Sequence, residues 1–335
     1  MSATAFFLFN FNTPFHVGWR RPQNYIDGST IARALMYLAY MLKRTELIDG
    51  VIQRRIKFSG LFPATYTEDN KIKLLLHPLS IPLVGKLENV EAFTLQAIRE
   101  FLNALSCEED DVAFKVINGK IYVHGKGTKV NVKRSEHGNV ICRLKEDIVA
   151  PEKLFIKHVE HRNRIDRISH ASDLFSVSGY VVNIPMWMLC EADQKLLDET
   201  SFLLNLLGEF GLGGYRGRGW GRFTVRRLEK DDIDGSDIEF IREMRSGKWR
   251  IPLGYIPLRS IISCKHGRVY YDIDVIEGYS GTVFSYVLPK VIVCKPTCAI
   301  ECHLIQGDII PIDDKPGYDR IVIPLNPPVL GECNV

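Results

Sequence analysis

The sequence predicts an α+β protein: a ferredoxin-like (RRM-like) βαββαβ domain with a large insertion, followed by a second, mostly-β domain. Three observations support this fold class. The predicted elements of the first 230 residues run strand, helix, a long middle segment, strand, helix, strand. Beyond residue 245 the chain reads as mostly short strands. The 335 residues are 46% hydrophobic and 25% charged, the composition of a globular chain of about two domains.

The first two predicted elements are a strand and a helix. Phe7, Phe9 and Phe11 alternate along residues 3–12 and so lie on one side of an extended chain, which predicts a strand. Ser29 or Thr30 can cap a helix that runs to about Lys43. The apolar face of that helix contains Ile31, Leu35, Leu38 and Leu42.

The middle segment, residues 50–170, is interpreted as an insertion that contains a helix and two hairpins. Helical periodicity recurs over residues 89–105. Asn118-Gly119 lies between alternating apolar positions, which is the strongest short-range hairpin signal. A second hairpin is predicted to turn at residues 137–139.

The rest of the first domain is predicted as a strand at 175–184, a helix at 191–207 and a strand at 222–228. The apolar stripe of this helix contains Leu196, Leu197, Leu203, Leu204 and Leu207. The acidic stretch at 231–243 is the predicted boundary or linker. It separates a first domain at 1–230 from a mostly-β, degenerate ferredoxin-like domain at 245–335.

The net charge of +3 conceals two basic runs. Residues 115–134 contain six basic residues and no acid, and residues 216–230 contain six basic residues and one acid. Segregated charge creates a local potential that attracts polyanions. A solvated surface without a ligand is the alternative for either run.

A glycine-rich segment, residues 211–221, joins the last predicted helix of the first domain to its last strand. Six glycines in eleven residues let backbone N–H groups approach a ligand, while arginines suit phosphate and aromatic rings suit bases. The order helix, loop, strand excludes a dinucleotide-binding loop or a P-loop. A flexible connection with incidental arginines is the alternative. The candidate binding residues are Gly211, Gly213, Gly214, Tyr215, Arg216, Gly217, Arg218, Gly219, Trp220 and Gly221.

A second candidate site lies in the loop after the first strand. His16 is followed closely by Trp19, Arg20 and Arg21. Aromatic and guanidinium planes stack on splayed bases, so this group suits a corner that binds single-stranded RNA. The alternatives for His16 are a structural role and a role as the general acid–base of a metal-independent endoribonuclease, and geometry decides among them.

A third candidate site is the basic tract at residues 157–167. Its arginines suit a phosphate clamp because each guanidinium presents paired N–H donors. They are Arg162, Arg164 and Arg167. A metal site and a hairpin tip are the alternatives. His158 and His161 are too close in sequence to be persuasive metal ligands without further partners.

The glycine-rich segment resembles the signature of the RAMP superfamily of CRISPR proteins: glycine, apolar residue, glycine, five residues, glycine, any residue, glycine. The signature positions are Gly211, Leu212, Gly213, Gly219, Trp220 and Gly221. Residues 16–18, the polar helix start at 27–30 and the tract 161–167 resemble the subunit that caps the guide-RNA 5′ handle in type III-A (Csm) effector complexes. The resemblance adds Gly18, Ser29, Thr30, Arg33, His161 and Asn163 as RNA-binding candidates.

The resemblance implies a non-catalytic subunit that binds single-stranded guide RNA (crRNA) and uses no cofactor and no metal. The implied protein partners are the repeating backbone RAMP subunit and the large polymerase-like subunit, and target RNA is contacted only indirectly. Two alternatives stay open. One is a metal-independent endoribonuclease that processes guide RNA, and the other is a protein-only assembly scaffold.

Composition and cysteine usage predict a cytoplasmic protein that does not enter a membrane. The apolar stretch at 31–42 is interrupted by Arg33 and falls short of the ~18 residues that a membrane span needs. The N-terminus has no basic region of the kind that opens a secretory signal. Eight scattered cysteines predict mostly reduced thiols.

Three cysteines and a histidine near the C-terminus suggest a zinc cluster at first sight. They are Cys294, Cys298, Cys302 and His303. Three residues separate successive cysteines, whereas zinc knuckles favour shorter paired spacings. The sequence therefore favours buried thiols over a metal site.

Overall fold

The computed structural model describes residues 3–18, 22–79, 92–105, 113–117, 120–124, 133–134, 140–141, 154–165, 172–262, 267–277, 279–280, 286–287, 290–311 and 322–332. Within these residues the α-helices are α1 (Gly28–Met41), α2 (Thr45–Ile52), α3 (Leu95–Leu105), α4 (Gln194–Phe210), α5 (Gly235–Glu243) and α6 (Leu258–Ile262).

The strands of the first two thirds of the chain are β1 (Ala3–Phe11), β2 (Lys57–Phe58), β3 (Phe62–Tyr66), β4 (Ile72–Leu76), β5 (Phe93–Thr94), β6 (Ala113–Ile117), β7 (Lys120–His124), β8 (Lys133–Arg134), β9 (Val140–Ile141), β10 (Phe155–Ile165), β11 (Ser172–Val182), β12 (Met186–Ala192) and β13 (Phe223–Leu228). The last third contains β14 (Trp249–Pro252), β15 (Ile256–Pro257), β16 (Val269–Tyr270), β17 (Ile273–Ile276), β18 (Tyr279–Ser280), β19 (Tyr286–Val287), β20 (Val291–Cys294), β21 (Ala299–Glu301), β22 (Asp308–Pro311), β23 (Val322–Leu325) and β24 (Val329–Leu330). The α+β class is confirmed.

A seven-stranded sheet organises the first part of the chain, in the order β13-β1-β12-β3-β4-β5, with β2 also paired to β12. Neighbouring strands run antiparallel. Phe9 of β1 faces Met186 of β12 on one side and Val225 of β13 on the other. The end of β1 and the starts of β12 and β13 therefore share one edge of the sheet, and the loops at this edge meet.

Both faces of this sheet are covered. Phe7 and Phe9 of β1 pack into one core with α1, α2 and α4, as the predicted phenylalanine side requires. Phe6 and Leu8 of the same strand pack into a second core with α3, α5 and β14. Because β1 is buried on both sides, neither face of its central part is open to a ligand.

The strand predicted at 175–184 forms, but it does not belong to this sheet. It is β11, which pairs along its whole length with β10 to form an antiparallel ribbon, here called the arm. The sheet strand is β12, whose region the sequence analysis divided between a loop and a helix start. Every residue of β12 is buried, so the strand lacks the alternation that reveals a one-sided strand.

The helices begin at other residues than predicted because their caps lie elsewhere. Asp27, not Ser29 or Thr30, caps α1, and its carboxylate accepts the N–H of Ser29 at 2.8 Å. Asp193 likewise caps α4. The predicted leucine stripe of α4 is buried throughout, whereas Leu42 lies beyond α1 and is 42% exposed.

The helix α3 begins at Leu95 rather than near residue 89, because Phe93–Thr94 forms β5. The Thr94 hydroxyl accepts the N–H of Ala97 at 3.1 Å. Residues 89–91 lie outside the described residues. The predicted turns at Asn118-Gly119 and 137–139 are themselves not described, but the strands that flank each pair antiparallel, as hairpins do.

The acidic stretch predicted as a linker forms α5. Ile238 and Ile241 pack into the core beside α3, and the Asp237 carboxylate accepts the N–H of Leu74 at 2.7 Å. This segment is an ordered element in which Asp237 is buried, whereas Asp231 and Glu239 are exposed. The division of the chain into two domains stays a prediction.

The cysteine expectations are confirmed for two of the three residues. Cys294 and Cys298 are buried free thiols, and burial raises the pKa of Cys294 to about 12. Cys302 is instead disulfide-bonded, which corrects the expectation of a reduced thiol. Among the described residues no group of three or more metal-ligating side chains is clustered. No helix in that part of the chain is long and apolar enough to cross a membrane.

Asp27 is a buried carboxyl group that accepts hydrogen bonds from three residues. Besides Ser29, its carboxylate accepts the N–H of Tyr255 at 2.8 Å and the hydroxyl of Tyr25 at 3.3 Å. These bonds join the start of α1 to the chain between β14 and β15. Burial raises the pKa of this carboxyl above its ordinary value, and the hydrogen bonds only partly offset the effect.

We expect Asp27→Asn to remove a component of the pH dependence of stability. The native carboxyl binds its proton more tightly than the unfolded chain does, so native stability falls as pH rises from about 4 through the raised pKa. Urea unfolding between pH 4 and 7 measures this, with Asp231→Asn on the surface as the control. The wild-type free energy of unfolding minus that of Asp27→Asn should decrease as pH rises, and a constant difference contradicts the assignment.

Candidate nucleic-acid interface

The glycine-rich segment (residues 211–221, here the glycine loop) is packed against the loop after β1. The N–H of Gly214 donates to the His16 carbonyl at 2.7 Å, and that of Gly221 donates to Pro14 at 2.7 Å. Gly213 has a φ of +93°, and a Cβ there would overlap the His16 carbonyl oxygen. The loop therefore depends on glycine at Gly213 for a close backbone approach as well as for its conformation.

Most of the loop's backbone donors are engaged inside the protein. Six N–H groups donate to protein carbonyls: those of Gly211, Leu212, Gly214, Arg218, Gly219 and Gly221. This corrects the expectation that the loop as a whole offers its backbone to a ligand. The tip, residues 215–218, is exposed and contains the short 3₁₀ turn Arg216–Arg218. At the tip, the side chains of Arg216 and Arg218 are exposed to solvent and are hydrogen-bond donors.

The arm packs against both the glycine loop and the loop after β1. Phe15 and Tyr180 exchange two backbone hydrogen bonds of 2.9 Å, and His16 Nδ1 is 2.6 Å from the carbonyl oxygen of Ser178. A Cβ on Gly179 would overlap the Phe15 carbonyl oxygen and the ring of Trp220. Gly179 is therefore a residue of this junction that sequence reasoning missed, and its only signal was a glycine inside a strand pattern.

Trp220 is enclosed between the arm and the glycine loop. The residue is only 4% exposed, and its ring centroid lies 5.7 Å from that of His158 and 5.5 Å from that of Tyr215. The expectation that Trp220 offers a face to bases is wrong, because the arm covers the indole. Tyr215, 37% exposed, remains the aromatic side chain of the loop that a base can reach.

His16 is partly buried and held in one orientation. A carbonyl oxygen only accepts, so Nδ1 carries a proton and donates to Ser178, which leaves Nε2 as the basic atom of the neutral ring. The ring also meets the Tyr215 ring edge-on at a centroid distance of 5.1 Å. His16 thus connects the arm, the first loop and the glycine loop.

A basic cleft of about 590 Å³ opens between the arm and the tip. Its lining residues are Arg162, Asn163, Asp173, Phe175 and Arg218. The Arg218 guanidinium carbon lies 5.3 Å from the Phe175 ring centroid and 5.6 Å from that of Tyr215, within cation–π range. Arg162 bonds to Glu160 at 2.8 Å; this bond lowers the pKa of the Glu160 carboxyl, and a bond from Trp220 contributes.

Of the remaining candidate residues of the first loop and the arm, the structure describes some and not others. Gly18 has a φ of +100°, and Val17 forms an isolated antiparallel bridge with Gln23. Trp19, Arg20, Arg21 and Arg167 lie outside the described residues. On β10, His161 Nδ1 is 2.9 Å from the Ser176 hydroxyl, and the backbone of Arg164 is opposite Asp173.

The start of α1 has a different set of contacts. Ser29 is buried, Thr30 is partly buried, and Arg33 Nε donates to the Ser29 carbonyl at 3.3 Å. Burial lowers the pKa of the Arg33 guanidinium. The neighbouring Asp27 and Gly28 contact Tyr255 and the strand β2, and the described lining of the cleft contains no residue of this helix start.

No protein-family model and no curated protein matches the sequence. The structure, however, has the fold of a chain from a type III CRISPR interference complex. That chain belongs to the crystal structure of the Csm3–Csm4 subcomplex of the type III-A CRISPR–Cas interference complex. The match has a TM-score of 0.58 and 16% sequence identity, and it covers 98% of this chain and 99% of the other.

Two more distant matches come from related assemblies. A chain of the type III-B Cmr-β complex, bound to cognate target RNA and AMPPnP, matches with a TM-score of 0.48, 12% identity and coverage of 88% and 86%. A chain of the Csm1–Csm4 cassette in complex with cA4 matches with a TM-score of 0.44, 9% identity and coverage of 99% of both chains. The similarity of fold is therefore based on the match to the chain of the Csm3–Csm4 subcomplex.

Proposed function

We propose that this chain is a non-catalytic RNA-binding subunit of a type III CRISPR interference complex and that it holds the 5′ handle of the single-stranded guide RNA. One observation carries the proposal. Three segments distant in sequence meet at one sheet edge, and two of them, the arm and the glycine loop, form a cleft that combines arginines with the ring of Phe175. Single-stranded RNA is the polyanion that uses both chemistries, because its phosphates bind arginine and its unstacked bases bind aromatic faces.

The packing on both faces of the sheet also supports RNA binding at the loops. An RRM binds RNA on the open face of its sheet, whereas both faces of β1 and β12 are packed here. We also infer that β13, β1, β12 and β3 form the sheet of a ferredoxin-like domain, since two strand–helix–strand units interleave in this order. The loops at the edge where β1 ends then provide the RNA contacts.

The similarity of fold supports the proposed partners. The neighbouring structures contain several subunits, and one of them contains target RNA. We propose that this chain contacts a repeating backbone subunit and a large polymerase-like subunit, and that it approaches target RNA only through the guide.

Replacing Arg216 and Arg218 together with alanine is expected to weaken RNA binding by at least tenfold at low salt. Each lost phosphate contact should reduce the slope of log K against log salt by roughly 0.7 for a single strand. Fluorescence anisotropy with a repeat-derived RNA at several salt concentrations measures both effects. The matched control is Arg226→Ala with Arg227→Ala, which removes the same charge from side chains already paired with Asp232 and Asp198. Equal losses in the two double variants contradict the proposal.

A metal-independent endoribonuclease is the second candidate, and the orientation of His16 favours it because Nε2 is the atom left to accept a proton. The same RNA incubated with the purified chain in EDTA distinguishes the two functions. We expect intact RNA. Cleavage that disappears in His16→Ala would replace the proposed binding function with a catalytic one.

A further inference from the structure

The basic cleft contains one carboxylate that the binding of phosphate does not explain. The register of the arm places Arg162 opposite Phe175, and Asp173 follows two residues away on the same face. Asp173 is exposed and lines the cleft. Among the side chains and N–H groups that the structure describes, which do not include the side chain of Arg164, none forms an ion pair or hydrogen bond with this carboxylate.

A carboxylate is unfavourable beside a phosphodiester because the two charges repel. It is favourable beside the edge of a base, where it accepts hydrogen bonds from ring and exocyclic N–H groups. Guanine presents two such donors side by side, N1–H and N2–H, and two acceptors, O6 and N7. The other lining groups can supply the matching donors, since Asn163 has an amide and Arg162 and Arg218 have guanidinium groups.

The dimensions and the walls of the cleft suit one nucleotide. Its volume of about 590 Å³ lies within the range of small-molecule pockets. The Phe175 ring, with the Arg218 guanidinium 5.3 Å from its centroid, provides planar groups of the kind that stack on a splayed base. A uracil offers the carboxylate only N3–H, so it cannot form the paired hydrogen bonds.

We propose that this cleft binds one unpaired guanine of the RNA and that Asp173 accepts its N1–H and N2–H. The inference rests on the proposed function and adds base selectivity to it. In this proposal the arginines bind the RNA strand whatever its sequence, and Asp173 selects the base.

The experiment uses the full-length chain and three labelled RNAs: octauridylate, the same strand with one central guanosine, and the same strand with one central inosine. We expect the guanosine strand to bind about tenfold more tightly than octauridylate, since a bidentate contact discriminates bases by roughly 5- to 150-fold. Inosine lacks the N2 amino group, so its strand should bind with intermediate affinity. In Asp173→Ala the three affinities should become equal, while octauridylate binds as well as before or better.

The control is Asp231→Ala, which removes the same charge beyond the far end of β13 and should keep the preference for guanosine. If the wild type binds the three strands equally, or if Asp173→Ala keeps the preference, base selection by Asp173 is wrong and the proposed RNA binding still stands. If no strand binds, the proposed function and this inference fail together.

Discussion

Replacing Trp220 with alanine is expected to destabilise the protein by about 3–5 kcal/mol, the cost of emptying a buried tryptophan site. The indole is enclosed by His158 of the arm, Tyr215 of the tip and the backbone at Gly179. Its loss removes the side chain that these elements share. We therefore expect the arm to separate from the glycine loop and RNA binding to be lost with the cleft.

Urea unfolding and hydrogen exchange of the arm measure this effect. Trp220→Phe is the conservative control, because it keeps most of the apolar contact and loses only the hydrogen bond to Glu160. Tyr215→Ala is the exposed control, and it should change stability by about 1 kcal/mol or less while weakening RNA binding. A Trp220→Ala protein as stable as Tyr215→Ala would show that the indole does not hold the arm.

Gly213→Ala is expected to displace the glycine loop and to destabilise the protein by about 3 kcal/mol. The φ of +93° is unfavourable for any side chain, and the added Cβ would overlap the His16 carbonyl oxygen. The Cβ is attached directly to the backbone and the His16 carbonyl oxygen is a backbone atom, so no side-chain rotation relieves the overlap. The 2.7 Å hydrogen bond from Gly214 to the same oxygen should be lost as well.

Gly217→Ala is the matched control within the same loop. A Cβ at Gly217 would meet no atom within 4 Å, and its φ lies outside the left-handed region. We expect its melting temperature and its RNA affinity to stay within error of the wild type. If both variants behave alike, the glycine loop tolerates side chains generally, and the close approach to His16 has no energetic importance.

Local sequence signals predicted the elements in which apolar residues or turn residues recur at a characteristic spacing. The leucine stripe of α4, the phenylalanines of β1 and the hairpin around Asn118-Gly119 agree with the structure. The strand β12 was missed because it is buried on both faces and lacks alternation. The acidic stretch was misjudged because its charges conceal Ile238 and Ile241, which pack against α3.

The sequence by itself determined the composition of the glycine loop and, through a resemblance, the expectation of RNA binding. Only the tertiary structure decided that Trp220 is buried, that most loop N–H groups are engaged, and that Asp173 lines the cleft. The physical reason is that these properties depend on contacts between distant segments, such as His16 with Ser178, 162 residues apart. Local propensity contains no information about which surfaces such contacts cover.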